Sequence, residues 1–234
     1  IAQRITTVSQ AMKKELIWLY NIPEWKIDVV PNGIDAEKYQ RNLDPGRVKE
    51  RYGIHPLAPT VLFIGRLVNQ KGPDLLVEAV PHVLRHRWDA KFIIAGQGDM
   101  QSYLEHRAWE LGVANAVNFP GYISDEEYIN LLNACDIVAI TSRNEPFGMV
   151  LLEAWSAGKA VVATDVGGLS ENITNFTDGI KVFLYPESIA WGINYVINDA
   201  YGVKLLGESG RRKVEREFTW SSVAGKMLRV YKLL

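Results

Sequence analysis

The chain is poor in the features that mark secreted, membrane or nucleic-acid-binding proteins. Its 234 residues include one cysteine, Cys135, so no disulfide can form within the chain and we expect a reducing, cytoplasmic setting. No run approaches the roughly 18 apolar residues that a transmembrane helix needs. No signal peptide is visible. The net charge is −1, from 26 basic and 27 acidic residues, which gives no indication of a nucleic-acid or acidic-lipid partner.

The usual catalytic signatures of metal, serine and P-loop enzymes are also missing. The four histidines are scattered; His82 and His86 share a helix face, but that helix is basic and offers no third ligand. We therefore predict no metal site. A G-x-S-x-G elbow is absent, and the segment from Gly65 to Lys71 lacks both the Walker A spacing and its Ser/Thr. The chain begins with Ile1 rather than Met, so we expect a fragment whose N-terminal part is missing.

Short apolar runs alternate with helical patterns through most of the chain. The runs lack polar alternation, which is typical of strands buried on both faces of a parallel sheet. Predicted strands cover residues 60–64, 91–95, 116–119, 136–140, 160–163 and 180–183. Predicted helices cover residues 73–87, 99–111, 149–157 and a segment that begins with the capping box Ser124-Asp125-Glu126-Glu127. The pattern predicts an α/β fold, a Rossmann-like doubly wound parallel sheet, followed by C-terminal helices from about 186, 203 and 219.

Glycines and charges gather where the predicted strands end, which is where ligands bind in open parallel sheets. Gly65-Arg66 and Lys71 place two cations on one loop, suited to phosphate, although a basic surface loop has the same pattern. Gly96-Gln97-Gly98 is a weak signal alone. Tyr122, after Gly121, could stack near a base or simply pack in a turn. Gly167-Gly168 turns into a helix.

The segment Glu145-Pro146-Phe147-Gly148-Met149-Val150-Leu151-Leu152-Glu153 is the most informative stretch. Pro146 and Gly148 mark a tight loop that leads into an apolar helix, so free backbone N–H groups form an anion site there. Glu145 and Glu153 flank it and could accept hydrogen bonds from sugar hydroxyls. The alternative is two surface carboxylates, but the helical neighbours of Glu153 are apolar or small. Phosphate flanked by hydroxyls describes a nucleotide sugar.

In order, five motifs resemble those of retaining glycosyltransferases with the GT-B fold, and glycogen-synthase-like members above all. The motifs are Val30-Pro31-Asn32-Gly33-Ile34-Asp35, Gly65-Arg66-Leu67 with Lys71-Gly72, Gly96-Gln97-Gly98, Glu145 to Glu153, and Gly167-Gly168. The resemblance covers nearly the whole chain and matches the C-terminal, donor-binding half of the family fold. It implies that residues 1–22 are the tail of the N-terminal domain with its linker, 23–215 the nucleotide-sugar-binding domain, and 216–234 a C-terminal crossover helix.

The resemblance also implies roles for individual residues. Arg66 and Lys71 would hold the donor diphosphate and stabilise its departure, and Glu145 would bind donor-sugar hydroxyls. Glu153 would bind the ribose. The remaining predicted donor-binding residues lie in the loops around the base and phosphates: Gly65, Gly96, Gly98, Tyr122, Ile123, Phe147, Gly148, Met149 and Val150.

The implied reaction moves a hexosyl group, with glucose favoured, from an ADP- or UDP-linked donor to a carbohydrate acceptor. It needs no metal or other cofactor, since fixed cations and helix N–H groups stabilise the leaving diphosphate. The missing N-terminal domain is the expected partner.

Other functions stay open. They are another GT-B reaction, such as a trehalose or sucrose synthase, a phosphorylase or an epimerase; a non-catalytic nucleotide-binding module; and an NAD-binding domain. The last is disfavoured because no G-x-G-x-x-G opens a helix after the first strand.

Overall fold

The computed structural model describes residues 2–233, and the secondary structure of this range alternates as the sequence predicts. The strands are β1 Ile5–Thr7, β2 Ile27–Val29, β3 Thr60–Ile64, β4 Lys91–Ala95, β5 Val117–Gly121, β6 Ile137–Ile140, β7 Ala160–Thr164 and β8 Ile180–Val182. The helices are α1 Gln10–Tyr20, α2 Pro45–Glu50, α3 Pro73–Leu84, α4 Gln101–Glu110, α5 Asp125–Ala134, α6 Met149–Ser156, α7 Gly167–Asn172, α8 Pro186–Ile197, α9 Ala200–Glu217 and α10 Trp220–Tyr231.

Six strands form one sheet in the order β5-β4-β3-β6-β7-β8, and every neighbouring pair is parallel. From β3, the strands β4 and β5 follow one another outward on one side of the sheet. The strands β6, β7 and β8 follow one another outward on the other side. This is the strand order of doubly wound nucleotide-binding folds, in which the crevice lies where the direction reverses. The predicted α/β doubly wound parallel sheet is confirmed.

Alternate residues of the central strands enter two different cores, which explains their uninterrupted apolar sequences. Val61 and Phe63 of β3 lie in the core on one face, whereas Leu62 lies in the core on the other. The same alternation separates Ile94 from Ile93 in β4. Because successive side chains of a strand point to opposite faces, a sheet covered on both sides requires apolar residues at every position.

The N-terminal segment forms a separate small unit. β1 and β2 pair in parallel as a two-stranded sheet that does not join the large one. The last helix, α10, reaches back to this unit, because Val223 and Val230 share a buried cluster with Val30. The backbone N–H of Ile34 donates to the carbonyl of Phe218 at 2.8 Å. The last helix therefore packs on the segment that follows β2.

Several element boundaries differ from the sequence prediction by one to three residues, and one helix is additional. β5 continues through Pro120 and Gly121, which is tolerated because β5 is an edge strand with a register shift in its pairing to β4. α2 was not predicted; its start is capped by Asp44, whose carboxylate accepts from the Gly46 N–H at 2.9 Å. α3 ends at Leu84 rather than 87. Among the described residues, no helix combines the length and apolar character that a membrane span requires.

Candidate functional site

A cleft of about 360 Å³ opens at the carboxyl edge of the large sheet. It lies beside the point where the strand order reverses, between β3 and β6, which is the position predicted for a ligand crevice. The loops that follow β3, β4 and β5 and the first turns of α6 form its walls. Its lining residues are Ile64, Gly65, Arg66, Gly96, Gln97, Tyr122, Ile123, Asp125, Tyr128, Val150 and Glu153.

Close backbone packing explains the glycines after β3 and β4. A Cβ atom on Gly96 would lie 1.8 Å from the Gly65 carbonyl oxygen, and one on Gly98 would lie 2.2 Å from that of Leu67. The Leu67 N–H donates to the carbonyl of Gln97 at 2.9 Å. No side chain larger than hydrogen fits between these two loops. Gly65 and Gly96 also line the cleft, whereas Gly98 serves the loop contact.

The Gly167-Gly168 pair holds the Glu145 loop in the same way. A Cβ on Gly167 would lie 2.2 Å from the Glu145 carbonyl oxygen, and one on Gly168 would lie 2.5 Å from the Cα of Phe147. The Gly168 N–H donates to the Glu145 carbonyl at 2.8 Å. The two glycines therefore act by positioning the loop that precedes α6.

Glu145 is buried rather than a surface carboxylate, with 8% of the residue exposed. Its Oε2 atom accepts from Lys71 Nζ at 2.7 Å and from Ser142 Oγ at 3.2 Å. The charge-assisted Lys71–Glu145 pair joins the loop after β3 to the loop after β6. Neither side chain lines the 360 Å³ cleft.

Arg66 differs from Lys71 because its side chain is exposed at the cleft, and no carboxylate among the described residues contacts it. α6 begins nearby at Gly148, whose φ of 98° is in the left-handed region. Within residues 2–233, no group accepts a hydrogen bond from the backbone N–H of Met149 or Val150. A free guanidinium and unpaired helix N–H groups favour an anion at this side of the cleft.

Glu153 lies in the cleft wall, and both of its carboxylate oxygens are held by phenols. Tyr39 donates to Oε1 at 3.1 Å, and Tyr128 donates to Oε2. The two rings meet edge to face, with centroids 6.3 Å apart. Burial, and next the charge of Glu153, raise the pKa of both phenols well above the ordinary tyrosine value, so they stay protonated as donors. These two bonds explain how a carboxylate stands among the apolar or small neighbours noted in the sequence, although the sequence did not identify the two tyrosines.

The remaining predicted residues divide between the cleft and the core. Tyr122 is 73% exposed and lines the cleft with Ile123, so the alternative of a Tyr packed in its turn is wrong. Met149 is partly exposed at the start of α6. Phe147 needs a correction: its ring is only 3% exposed and packs edge to face on Phe218, so its side chain lies in the core and cannot line the cleft.

Three further cleft residues were missed by sequence reasoning, and Ile64, the last residue of β3, is one of them. Gln97 is the variable position of the G-x-G motif, and Asp125 is the first residue of α5. Both follow strands whose carboxyl ends point to the cleft, and that position was the available signal. In the described part of the chain, no group of three or more His, Cys, Asp and Glu side chains is arranged to hold a metal ion.

Comparison with known proteins identifies the family. The model described as "Glycosyl transferases group 1" matches residues 47–213, more than half of the chain, and that described as "Glycosyltransferase Family 4" matches residues 1–38. An uncharacterized glycosyltransferase from Methanocaldococcus jannaschii is 37% identical over 98% of the chain and 60% of its own length.

Relatives with named activities differ from one another. A glycogen synthase from Mycobacterium tuberculosis is 30% identical over 97% of the chain and 53% of its own length. A D-inositol 3-phosphate glycosyltransferase from Nocardia farcinica is 32% identical over 98% and 52%.

Among solved structures, Anabaena HepE in complex with UDP and glucose matches with a TM-score of 0.89 and 25% identity, over 100% of this chain and 64% of that one. The chain thus spans between 52% and 64% of the lengths of these proteins. Its fold, motifs and matched residues agree, and the chain belongs to the glycosyl transferases group 1 family.

Proposed function

We propose that the chain is the donor-binding part of a retaining glycosyltransferase that takes a hexosyl group, with glucose favoured, from a nucleoside-diphosphate sugar. One observation carries the proposal: at the switch point of the sheet, one cleft brings together a phenol-held carboxylate with a guanidinium and helix N–H groups that have no partner within residues 2–233. The complex of Anabaena HepE with UDP and glucose supports the same class of donor.

The anion-favouring side of the cleft is assigned to the donor diphosphate. The planar guanidinium of Arg66 would bind the diphosphate through two parallel N–H hydrogen bonds, and the N–H groups of Met149 and Val150 would add donors at the start of α6. Lys71 is assigned to the same phosphates, reaching them from its pair with Glu145. Because charge grows on the diphosphate as it leaves, these groups stabilise the transition state without requiring a metal ion.

The opposite wall is assigned to the nucleoside. Glu153 would accept hydrogen bonds from the ribose hydroxyls, with its carboxylate oriented by the two tyrosines. Gly96, Tyr122 and Ile123 would line the base pocket, and ADP and UDP remain the favoured donors. Glu145 would bind hydroxyls of the transferred sugar.

In the proposed reaction, the bond between C1 of the sugar and the diphosphate oxygen breaks through an oxocarbenium-like state. The acceptor oxygen bonds to C1 on the face that the diphosphate leaves, and its hydroxyl proton passes to the departing phosphate oxygen, so the configuration is retained without an enzyme nucleophile. A carbohydrate acceptor of the α-glucan type is favoured, by analogy with glycogen synthases. The inositol-phosphate relatives make a different acceptor the main competing subtype.

The acceptor site is assigned to an N-terminal domain beyond this chain. Residues 1–22 would be the end of that domain and its linker, 23–215 the donor domain, and 216–234 the helix that crosses back. The separate β1–β2 sheet and the contact of α10 with Val30 support this division. A reducing, cytoplasmic setting is proposed from the single cysteine.

The first test is calorimetric titration of the 234-residue chain with ADP, UDP and GDP, repeated on Arg66→Ala. We expect one diphosphate to bind best and Arg66→Ala to weaken it by about tenfold or more, since a charge-assisted contact is lost. Arg85→Ala is the matched control, because Arg85 is exposed and lies at the other end of α3, outside the cleft. Equal losses in the two variants would contradict the assignment of Arg66.

A second test separates the enzyme from a non-catalytic nucleotide-binding module. The chain joined to its N-terminal domain should transfer glucose from the preferred donor, whereas the 234 residues alone should bind nucleotide and transfer nothing. Binding by the joined protein without transfer to glucan or inositol phosphate would favour the binding module. Robust turnover by the 234 residues alone would contradict the assignment of the acceptor site to the N-terminal domain.

A further inference from the structure

Three exposed aromatic rings form a cluster near the β8 edge of the large sheet, and none of them lines the cleft of Arg66 and Glu153. Trp191 and Tyr195 lie one turn apart on α8, and Phe176 stands beside them on the loop before β8. They are 48%, 54% and 53% exposed. The ring centroid of Phe176 lies 5.5 Å from that of Tyr195, and the centroid of Tyr195 lies 5.6 Å from that of Trp191, so the three rings are in contact. We name Phe176, Trp191 and Tyr195 the α8 aromatic cluster.

Open grooves flank the cluster on both sides. One groove, of about 450 Å³, lies toward β8 and is lined by polar groups such as Asn175, Lys181 and Glu187. The other, of about 430 Å³, lies between α8 and α3 and includes Asn194. Trp191 and Glu187 line both grooves, so the two form one surface that follows the 12 residues of α8, about 18 Å.

Two features of this surface are unfavourable for the folded chain alone. Phe176 has a φ of 62°, a left-handed conformation that a bulky side chain rarely adopts. The side-chain oxygen of Asn194 is buried and has no hydrogen-bond partner among the described residues. Backbone strain and an unpaired buried acceptor are rare in folded proteins and gather at functional sites, so this surface is a candidate binding site.

The chemistry of the lining favours a neutral ligand rich in hydroxyl groups. Lys181 is paired with Asp165 at 3.2 Å, and the grooves contain both signs of charge as well as amide donors and acceptors. A membrane surface would require clustered basic residues around a convex apolar face. A nucleic acid would require a groove of one sign, whereas Glu187 and Arg85 line the same groove between α8 and α3. Flat, exposed rings bordered by hydrogen-bonding groups suit the apolar face and the hydroxyl edge of a sugar ring.

We propose that the α8 aromatic cluster and its two grooves bind a neutral oligosaccharide, with a sugar ring resting on Trp191. The grooves share no lining residue with the cleft of Arg66 and Glu153. The proposal rests on its own geometry, so it stands or fails independently of the donor site. In a glycosyltransferase, such a surface would hold a carbohydrate chain while another part of that chain is extended.

The test is NMR titration of the ¹⁵N-labelled 234-residue chain with maltoheptaose and with cellohexaose. At least one should shift the amide signals of α8 and of residues 174–185. Trp191→Ala should weaken that binding about tenfold or more, as expected when a central aromatic contact is removed. Tyr195→Phe should retain it, because the ring remains. Arg66→Ala should leave it unchanged.

Trp109→Ala is the matched control, since Trp109 is 69% exposed on α4 and stacks on an exposed side chain. Thermal unfolding of each variant verifies that the fold is intact. Absence of binding by both sugars, or equal losses in Trp191→Ala and Trp109→Ala, would overturn the proposal. So would shifts at α8 that follow protein concentration or added lipid vesicles rather than sugar, since these would identify a second copy or a membrane as the occupant.

Discussion

The phenol of Tyr128 provides the sharpest test of how the cleft recognises a nucleoside. It donates to Oε2 of Glu153, while Tyr39 donates to Oε1 at 3.1 Å. Tyr128→Phe removes one of these two restraints and keeps the ring and its contact with Tyr39. Glu153 stays in the cleft wall with its charge, but its carboxylate is then held on one side only.

The expected size of the Tyr128→Phe effect depends on what replaces the lost hydrogen bond from Tyr128 to Glu153. A hydrogen bond to a charged group contributes about 1.5–3 kcal/mol, but water in the cleft can reach Glu153, so we expect the loss of stability to stay near 1.5 kcal/mol. Fixing a freed side chain again on binding costs about 0.5–1.5 kcal/mol. A penalty of about 1 kcal/mol weakens binding roughly fivefold. The penalty applies to ligands whose hydroxyls Glu153 accepts.

The assay compares the affinities of UDP and 2′,3′-dideoxy-UDP by calorimetry. Tyr128→Phe should weaken UDP about fivefold and change the dideoxy compound by less than about twofold, because that compound has no ribose hydroxyl for Glu153. Tyr52→Phe is the matched control: Tyr52 donates to Glu127 at 2.7 Å, an equivalent bond outside the cleft. It should lower stability and leave both affinities unchanged.

The result that would refute the reasoning is an equal loss for both ligands in Tyr128→Phe. That outcome would mean that the phenol supports the cleft wall in general, and that Glu153 does not contact the ribose. Loss of UDP binding in Arg66→Ala together with an unchanged ratio in Tyr128→Phe would keep the diphosphate site and remove only the ribose assignment.

Three further changes test the packing around the site. Gly168→Ala should destabilise the chain by about 1–3 kcal/mol in urea unfolding and abolish diphosphate binding in calorimetry, because its Cβ would lie 2.5 Å from the Cα of Phe147. The control Gly225→Ala has open space around the new Cβ, so it should be neutral or stabilising. Lys49→Met should lower the free energy of unfolding by about 2 kcal/mol in urea, since the buried ammonium donates to Asp136 and to the backbone carbonyl of Ala58, both at 2.9 Å. A loss of stability below about 0.5 kcal/mol would contradict this. Burial raises the pKa of the Cys135 thiol to about 12, so the stability that the protonated thiol contributes is complete below the thiol pKa of the unfolded chain and is lost as pH rises toward 12. The difference in free energy of unfolding between wild type and Cys135→Ala should therefore fall by at most about 1.4 kcal/mol per pH unit above pH 9. A difference independent of pH would refute this.

The sequence was sufficient to predict the fold because local and global signals agree. Residues 60–64 and 91–95 are strands at the predicted bounds, since burial on both faces leaves no polar residue to blur their ends. The helix of residues 10–20 begins after Ser9, a residue type that commonly caps helix N-termini. The capping box at Ser124 is half correct: Ser124 caps the Glu127 N–H, but the Glu127 carboxylate binds Tyr52 and Arg51 instead.

The site was less predictable because its decisive contacts join distant positions. Tyr39 and Glu153 are 114 residues apart, and nothing local to Tyr39 indicates a carboxylate partner. The glycines were identified as a ligand signature, but their backbone contacts show that much of their role is loop packing. Phe147 shares a motif with Glu145, yet its side chain packs in the core against Phe218. Spacing identifies the loop, while side-chain direction depends on the tertiary structure.

The two predicted cations should therefore differ in what their loss does. Lys71 is paired with Glu145, whose side chain is 11% exposed, so Lys71→Ala leaves a buried carboxylate with Ser142 as its remaining side-chain donor. Breaking such a pair from one side is destabilising; with Lys71 itself 26% exposed, we expect about 2 kcal/mol, or a fall of about 4–8 °C in Tm. Arg66 has no carboxylate partner among the described residues, so Arg66→Ala should leave Tm within about 1 °C, as surface substitutions do. Differential scanning calorimetry without nucleotide measures both. If Arg66→Ala lowers Tm as much as Lys71→Ala does, Arg66 is a structural residue, and the assignment of the diphosphate to its guanidinium fails.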